Sequence, residues 1–249
     1  LDGDGDAEIV VMGYLGTAAF HHDGALYWFT DTIKSHIESA GWSGPSIANL
    51  DLEPGPEIVL ASHNGALYVL DHDGSLIYSE PTGSLPAVPT LADVTGDGFQ
   101  DIIFAQDRTI TVYDAFNNFN IAWTHTHTYT GFYGQAFGAA AVVDVDGKQL
   151  GGDDGPEVVI NWGHYIDVFD ADGTLLWNYY VGSDSYRRPS PITVADVDGD
   201  NEIELLTASA LQSGFLILHH KLMVSNADGT LLWEQLMGDT SASASGVAT

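Results

Sequence analysis

Apolar residues along this chain come in short runs, and each run is cut by a cluster of Gly, Asp, Asn or Pro. Ile9-Val-Val, Ile58-Val-Leu, Ile102-Ile-Phe, Val158-Val-Ile and Leu205-Leu are continuous Ile/Val/Leu stretches of strand length. Runs of that kind between turn residues read as β-strands. No window beyond about ten residues sustains a 3.6-residue period, Asp31–Ser39 being the nearest to one. Downstream of most runs, an alternating segment ends in a tight turn and resumes as Leu and an aromatic. Examples are Ala66-Leu-Tyr-Val-Leu-Asp-His-Asp-Gly-Ser-Leu-Ile-Tyr78, Ile166-Asp-Val-Phe-Asp-Ala-Asp-Gly-Thr-Leu-Leu-Trp177 and Leu222-Met-Val-Ser-Asn-Ala-Asp-Gly-Thr-Leu-Leu-Trp233. Ile110 to Trp123 is a looser copy with Asn117-Asn118 in place of Asp-Gly. Gly supplies the positive φ of a tight hairpin turn, so these segments predict antiparallel hairpins, as does Asn64-Gly65.

The pattern repeats. An acid-rich segment recurs five times, and each copy ends in an acid that leads into an apolar run: Glu8, Glu57, Asp101, Glu157 and Glu204. Their separations are 49, 44, 56 and 47 residues. Before the loops sit small-residue strands: Pro45–Asn49, Pro89–Asp93, Ala139–Asp144 and Pro191–Asp196. Each period therefore predicts four strands, and four-stranded units of ~40–50 residues repeated radially are the pattern of a β-propeller. The coils of a β-solenoid are much shorter than this period. The units fall at about residues 1–43, 44–87, 88–138, 139–190 and 191–249 of one all-β domain. The first lacks its small-residue strand, and Ser245–Thr249 resembles one, so the C-terminal strand could complete the first blade. Five closed blades is the literal count, with a larger or tandem array as the alternative.

Charge sharpens this picture. With 35 acidic and 6 basic residues the net charge is −29, which repels nucleic acid and anionic membrane surfaces. There is no cysteine, so no disulfide framework stabilises the chain. No apolar run approaches the ~20 residues of a membrane span. The five loops hold 20 of the 35 carboxylates. Acids on alternate residues of a Gly-bearing loop suit a hard divalent cation, and calcium takes 6–8 oxygens at ~2.3–2.6 Å. In the fifth loop Asp196, Asp198, Asp200 and Glu204 hold positions 1, 3, 5 and 9. An EF-hand would need its last acid at position 12 and flanking helices, whereas this acid enters a strand.

On these loops the chain resembles the FG-GAP/VCBS repeat family of calcium-binding propellers, which includes the integrin α-subunit head. The resemblance covers essentially the whole chain and implies calcium bound by side chains at positions 1, 3, 5 and 9 with the carbonyl of position 7. Carried over by match, the third loop supplies Asp93, Thr95, Asp97 and Asp101 with the Phe99 carbonyl. The first supplies Asp2, Asp4, Asp6 and Glu8, its first position lying outside the chain, and Glu202 joins the set of the fifth. The second departs from the pattern, with Asn49, Asp51, Glu53 and Glu57 around Pro54-Gly-Pro56. The fourth carries a five-residue insertion, leaving Asp144, Asp146, Asp153 and Glu157. Several calcium ions with a structural role follow, a dication turning carboxylate repulsion into a cross-link between strands. One ion in every loop would bring the charge to about −19.

Other residues carry less. His21-His22, His125-Thr-His127 and His219-His220 read as solvated histidines, although His125 and His127 share a strand face. Tyr78, Trp123, Trp177 and Trp233 recur at one repeat position, which predicts packing between neighbouring units. Trp42, Trp162 and Phe132, Tyr133 and Phe137 break the repeat and are candidate ligand contacts. The Arg187-Arg188 pair, in the loop Gly182–Pro189, could clamp a uronate or sulfate, or pair with Asp184. No nucleophile elbow, phosphate-binding loop or separate carboxylate pair is present. The expectation is an extracellular calcium-binding propeller serving adhesion, carbohydrate or protein binding, or assembly into a surface fibre, with no catalytic residues assigned. The alternative is an enzyme of polysaccharide-lyase type acting on acidic glycans.

Overall fold

Glycine-centred turns and acidic loops set the ends of the strands. The computed structural model describes residues 1–34, 44–62, 65–82, 87–128, 138–145, 155–180, 187–213 and 216–237. Twenty strands form five antiparallel sheets, and no helix occurs among the described residues. The first sheet has the order β1-β2-β3, from Ile9–Gly13, Gly16–Phe20 and Leu26–Thr30. The second is β4-β5-β6-β7, from Pro45–Ala48, Glu57–Ser62, Ala66–Leu70 and Leu76–Pro81. The third is β8-β9-β10-β11, from Thr90–Ala92, Asp101–Gln106, Thr109–Asp114 and Asn120–Thr126. The fourth is β12-β13-β14-β15, from Ala141–Val143, Glu157–Asn161, Tyr165–Phe169 and Leu175–Tyr180. In the fifth, β18 (Glu204–Ser213), β19 (Leu216–Asn226) and β20 (Leu231–Met237) follow two short strands. Both of these, β16 (Arg187–Pro189) and β17 (Thr193–Ala195), pair with β18.

Three sheets thus have the four strands the repeat predicts. Among the described residues the first sheet has three strands, with no small-residue strand paired to β1. The fifth gains one, because β18 is long enough to pair β17 at Glu204–Leu206 and β16 at Ser209–Leu211. Arg187 and Arg188 therefore lie on a strand, which corrects the expected loop. Most of Asp31–Ser39, as well as Ser245–Thr249 and Asn64, lie outside the described residues.

The chain divides into two compact units, Leu1–Asp93 with Asp97–Ala122, and Val94–Gly96 with Trp123–Thr249. In the first unit, alternation along β5 sends Ile58 and Leu60 to a core shared with Val10, Met12, Ile33 and Trp28. The intervening Val59 and Ala61 go to a second core with Leu67, Val69, Ile102, Phe104 and Tyr113. A sheet buried on both faces needs apolar residues at every position, which is why this strand reads as a continuous run. In β1 only alternate residues are covered, and Ile9 is 56% exposed. The second unit is held by Val145, Val159, Ile166, Val168, Ile192, Leu205 and Met223.

Four hairpin turns are near-identical. Asp71 N–H donates to Ser75 O at 2.8 Å and Gly74 N–H to Asp71 O at 2.9 Å. The same pair of bonds closes His21–Ala25, Asp170–Thr174 and Asn226–Thr230. The glycines stand at φ 86°, 86°, 85° and 84° for Gly24, Gly74, Gly173 and Gly229. In each turn the Asp before the glycine accepts the amide two residues on, as Asp172 does from Thr174 at 2.8 Å. The third sheet turns instead through Asn118 and Phe119, at φ 58° and 57°.

An aromatic ring from the preceding hairpin lies over each later turn. Trp28 packs on Gly74 and donates Nε1–H to His72 O at 3.0 Å. Trp123 packs on Gly173 and donates to Ala171 O at 2.8 Å. Trp177 lies on Gly229. Tyr78 stacks on Phe119 at 4.5 Å, and burial pushes its phenol up to about 12. The packing role expected of this repeat position holds for Tyr78, Trp123 and Trp177, and Trp28 joins them. Trp233 departs from it: the ring is 45% exposed.

Two glycines with the same φ separate backbone strain from packing. Gly24→Ala should cost about 1 kcal/mol, the left-handed conformation alone, because no described atom lies within 4 Å of its Cβ position. At Gly173 the added Cβ would stand 2.6 Å from Trp123, so Gly173→Ala should cost about 3 kcal/mol in urea unfolding. Hydrogen bonds from the Thr174 hydroxyl, then its amide, hold the Asp172 carboxyl below the usual carboxylate range. A depressed carboxylate stabilises above its unfolded pKa and loses that contribution as pH falls. The melting-temperature gap between wild type and Asp172→Asn should be present at about pH 7 and close by about pH 2.

Candidate metal-binding loops

The loop acids are bound first of all by their own backbone. An acid at one position accepts the amide two residues on, a local turn that competes well with regular structure. Asp51 Oδ1 accepts Glu53 N–H at 2.7 Å, Asp97 Oδ1 accepts Phe99 N–H at 2.8 Å, and Asp200 Oδ1 accepts Glu202 N–H at 2.8 Å. In the first loop, Asp4 N–H reaches Asp2 at 3.1 Å and Asp6 N–H reaches Asp4 at 2.8 Å. Asn49 accepts Asp51 N–H at 3.3 Å. Asp196 takes two amides, from Gly199 at 2.7 Å and Asn201 at 3.1 Å, and Asp93 accepts that of Gly98 at 2.9 Å. These bonds hold the side chains on the concave side of a tight loop.

The last acid of each loop behaves differently. Glu57, Asp101, Glu157 and Glu204 are all buried, at 2%, 0%, 4% and 1% exposure. Three of them reach back to the amide of the loop's second residue. Leu50 N–H donates to Glu57 at 2.6 Å, Val145 N–H to Glu157 at 2.6 Å, and Val197 N–H to Glu204 at 2.7 Å. In the first loop the Leu1 ammonium forms an ion pair with Glu8. The fourth loop keeps this bond across its insertion, whose Asp146 and Asp153 lie outside the described residues. Burial pushes the Glu57 carboxyl above the usual carboxylate range, with the nearby Asp51 charge adding to it and the Leu50 amide opposing it.

The carboxylates of the fifth loop converge: oxygens of Asp196, Asp198 and Glu204 lie within 4.8 Å of one another. A cation with oxygen ligands at ~2.3–2.6 Å fits among atoms so spaced, and the all-oxygen donor set suits a hard ion. The first loop gathers two mixed clusters, Asp2 with Glu8 and His21, and Asp4 with Asp6 and His22. His21 Nδ1 is 3.3 Å from Asp2 and His22 Nδ1 is 3.4 Å from Asp6. His22 is exposed, as expected of a solvated histidine, whereas His21 is half-buried against the first loop. The signal was in the hairpin: Gly13 pairs Gly16 and Ile9 pairs Phe20, so His21 falls opposite Glu8. Among the described residues the second and third loops contribute no such cluster. The Phe99 ring stacks on Phe116 at 4.1 Å.

Two further expectations change. Trp162 is 1% exposed, stacks on His127 at 5.7 Å and donates Nε1–H to Asp167 at 2.9 Å. It is a core ring with its polar edge satisfied, rather than a surface ligand contact. His127 is buried beside it, with Nδ1 2.9 Å from Asp167, and is likewise not a solvated histidine. Tyr133, Phe132, Phe137, Trp42 and Asp184 lie outside the described residues, as do the side chains of Arg187, Arg188, His219 and His220. In the first unit a depression of about 250 Å³ is lined by residues including Thr82, Gln106, Asp107, Thr109, Thr111 and Tyr113.

The class of protein is therefore all-β, built of successive antiparallel sheets headed by acidic loops. No protein-family model and no curated protein sequence matches the chain. Among solved structures, it is similar to the V. cholerae biofilm matrix protein Bap1, with a TM-score of 0.66, 21% identity, and coverage of 98% of this chain and 39% of that one. It is also similar to the Bacillus licheniformis rhamnogalacturonan lyase PL11, with a TM-score of 0.60 and 18% identity over 97% of this chain and 49% of that one. BBS1N, solved in complex with ARL6DN, matches at a TM-score of 0.53 and 12% identity over 93% of this chain and 65% of that one. At these identities the likeness is one of fold. The chain spans less than two thirds of each of these proteins. No helix among the described residues is long and apolar enough to cross a membrane.

The buried acid can be tested without any ligand. Glu204→Ala leaves the Val197 amide without its acceptor and should cost about 1–3 kcal/mol in urea unfolding. Glu204→Gln keeps an acceptor and should cost less.

Proposed function

We propose that the chain is a run of five β-propeller blades that acts outside the cell as a binding, adhesion or surface-assembly module, with calcium in its acidic loops as a structural cross-link. The observation that carries this reading is the loop itself. It recurs at the head of successive sheets, with alternate acids folded onto the loop backbone and a last acid buried at the start of the strand. Asp196, Asp198 and Glu204 would hold an ion in the fifth loop. In the first loop the candidates Asp2, Asp4, Asp6 and Glu8 fall into two groups, Asp2 with Glu8 and His21, and Asp4 with Asp6 and His22. The second, third and fourth loops are weaker members of the same set. An ion bound there would tie loop to strand and offset the repulsion of clustered carboxylates. The fold shared with a biofilm matrix protein supports the assembly side of the reading, and the partner would be a protein, a carbohydrate or the chain itself.

Calcium should raise the melting temperature. An ion at a hundred times its dissociation constant adds about 2.7 kcal/mol per site, or ~5–10 °C for a chain of this size. EDTA should reverse the shift, and Glu204→Gln should fold yet lose part of the response. Identical melting curves in calcium and in EDTA would overturn the metal assignment.

The likeness to a rhamnogalacturonan lyase supports a second reading, an enzyme acting on acidic polysaccharide with Arg187 and Arg188 toward the uronate. Incubation with such polymers distinguishes it, because a lyase leaves unsaturated products that absorb in the ultraviolet.

A further inference from the structure

One face of the β9–β10 hairpin changes character along its length. Residues opposite one another across an antiparallel pair share a face, and here Ile102 pairs Tyr113, Phe104 pairs Thr111 and Gln106 pairs Thr109. Ile102, Tyr113 and Phe104 belong to the core that this hairpin shares with β5 and β6. One pair further on, the same face carries Gln106 and Thr109. The depression of about 250 Å³ lies at that change, with Phe104 and Tyr113 as an apolar floor, 3% and 6% exposed. Thr82, the residue after β7, lines it from the second sheet. Two observations set it apart from a packing gap. Thr82 Oγ1 is buried and has no hydrogen-bond partner among the described residues, so the cost of its desolvation stands. No bond fixes that hydroxyl in its rotamer, and a turn about χ1 brings it to a guest in the depression. At the hairpin tip Asp107 holds φ 49°. That left-handed conformation is unfavourable for a residue with a Cβ, and strained residues gather at ligand sites.

We propose that this depression binds one neutral pyranose ring of a glycan. A Thr hydroxyl and the Gln106 amide both donate and accept, whereas the Asp107 carboxylate only accepts. The guest must therefore carry several groups of both kinds, and it must also show an apolar patch to Phe104 and Tyr113. A sugar ring has hydroxyls around its rim and C–H bonds on its face. The volume lies below the ~300–1,000 Å³ that drug-sized ligands fill, so one ring is the right size. Anions are disfavoured, because the described residues lining the depression include Asp107 and no Lys or Arg, on a chain of charge −29. A hard dication would call for a cluster of carboxylates, which those residues do not supply. The inference rests on the reading of the chain as a binding module and names the class of its ligand.

Saturation-transfer NMR on the full chain tests this. The probes are the methyl glycosides of glucose, galactose, mannose and N-acetylglucosamine, with glucuronate and galacturonate beside them. Transfer to at least one neutral glycoside and none to the uronates is the expected result. Thr82→Val keeps the shape of the side chain and removes a hydroxyl that bonds nothing among the described residues. Its urea midpoint should equal or exceed that of wild type, while the glycoside Kd rises about 5-fold. Asp107→Asn, which tolerates the same φ, should raise the Kd about 3-fold and admit the uronates. A Kd unchanged in both variants would overturn this site and spare the binding reading. Transfer to the uronates as strong as to the neutral rings would overturn the proposed ligand and favour the lyase reading. A wild-type chain that takes no glycoside, yet is retarded on immobilised galactomannan, would overturn the depression as the sugar site. One that neither takes a glycoside nor is retarded would overturn the carbohydrate reading with it.

Discussion

A carboxylate taken out of water is expensive unless something answers it, and four of the long strands here begin on one. Glu57, Asp101, Glu157 and Glu204 are buried where β5, β9, β13 and β18 start. For three of them the answer in the chain itself is the amide of the loop's second residue. One such bond offsets part of the cost of desolvation, and in Glu57 burial still holds the carboxyl above its usual range. The bond has a structural consequence, because it ties the start of the loop to the start of the strand. In the fifth loop Asp196 and Asp198 also stand near Glu204. A site of concentrated negative charge, half solvated and half buried, is what the loop makes. It is also the environment in which a positive ion has most to gain.

Packing between sheets has its own repeated device. An aromatic ring over a glycine turn covers backbone that would otherwise face water and satisfies the indole N–H with a turn carbonyl. The device works only where the glycine has no Cβ, which couples the φ of the turn to the presence of the ring. It also makes the surfaces of successive sheets alike, since each presents a ring on its outer strand and a turn beside it. The strands β5 and β13 are buried at every position, whereas Ile9 and Val11 alternate into solvent along β1, and Leu231, Leu232 and Trp233 are all exposed on β20.

Much of this was legible in the chain because it depends on neighbours in sequence. Strand positions, the Asp-Gly turns and the acids at alternate loop positions are local patterns, and repetition multiplied the signal fivefold. What failed to show was whatever depends on pairing. Trp28 escaped notice because its hairpin turn begins on His21 where the matching turns begin on Asp71, Asp170 and Asn226, and only the shared register with Ala19 equates it with Trp177. Trp162 and His127 look like free aromatic and histidine positions until Asp167, from a neighbouring strand, buries and bonds them. Arg187 and Arg188 join a sheet because β18 outruns its first partner.

By itself, then, the sequence determined the class of fold, the period, the turn geometry and which residues could carry metal chemistry, since all are set by side-chain size, φ preference and charge within a few residues. Only the tertiary structure decided which acids converge and which remain strung along a loop. The fifth loop gathers Asp196, Asp198 and Glu204, while the third, with equally suitable residues, gathers no such cluster. It also decided that the repeated ring is buried at Trp123 and Trp177 but exposed at Trp233. The reason is the same in both cases: burial and convergence are properties of what lies opposite. A residue's own chemistry does not say whether anything does.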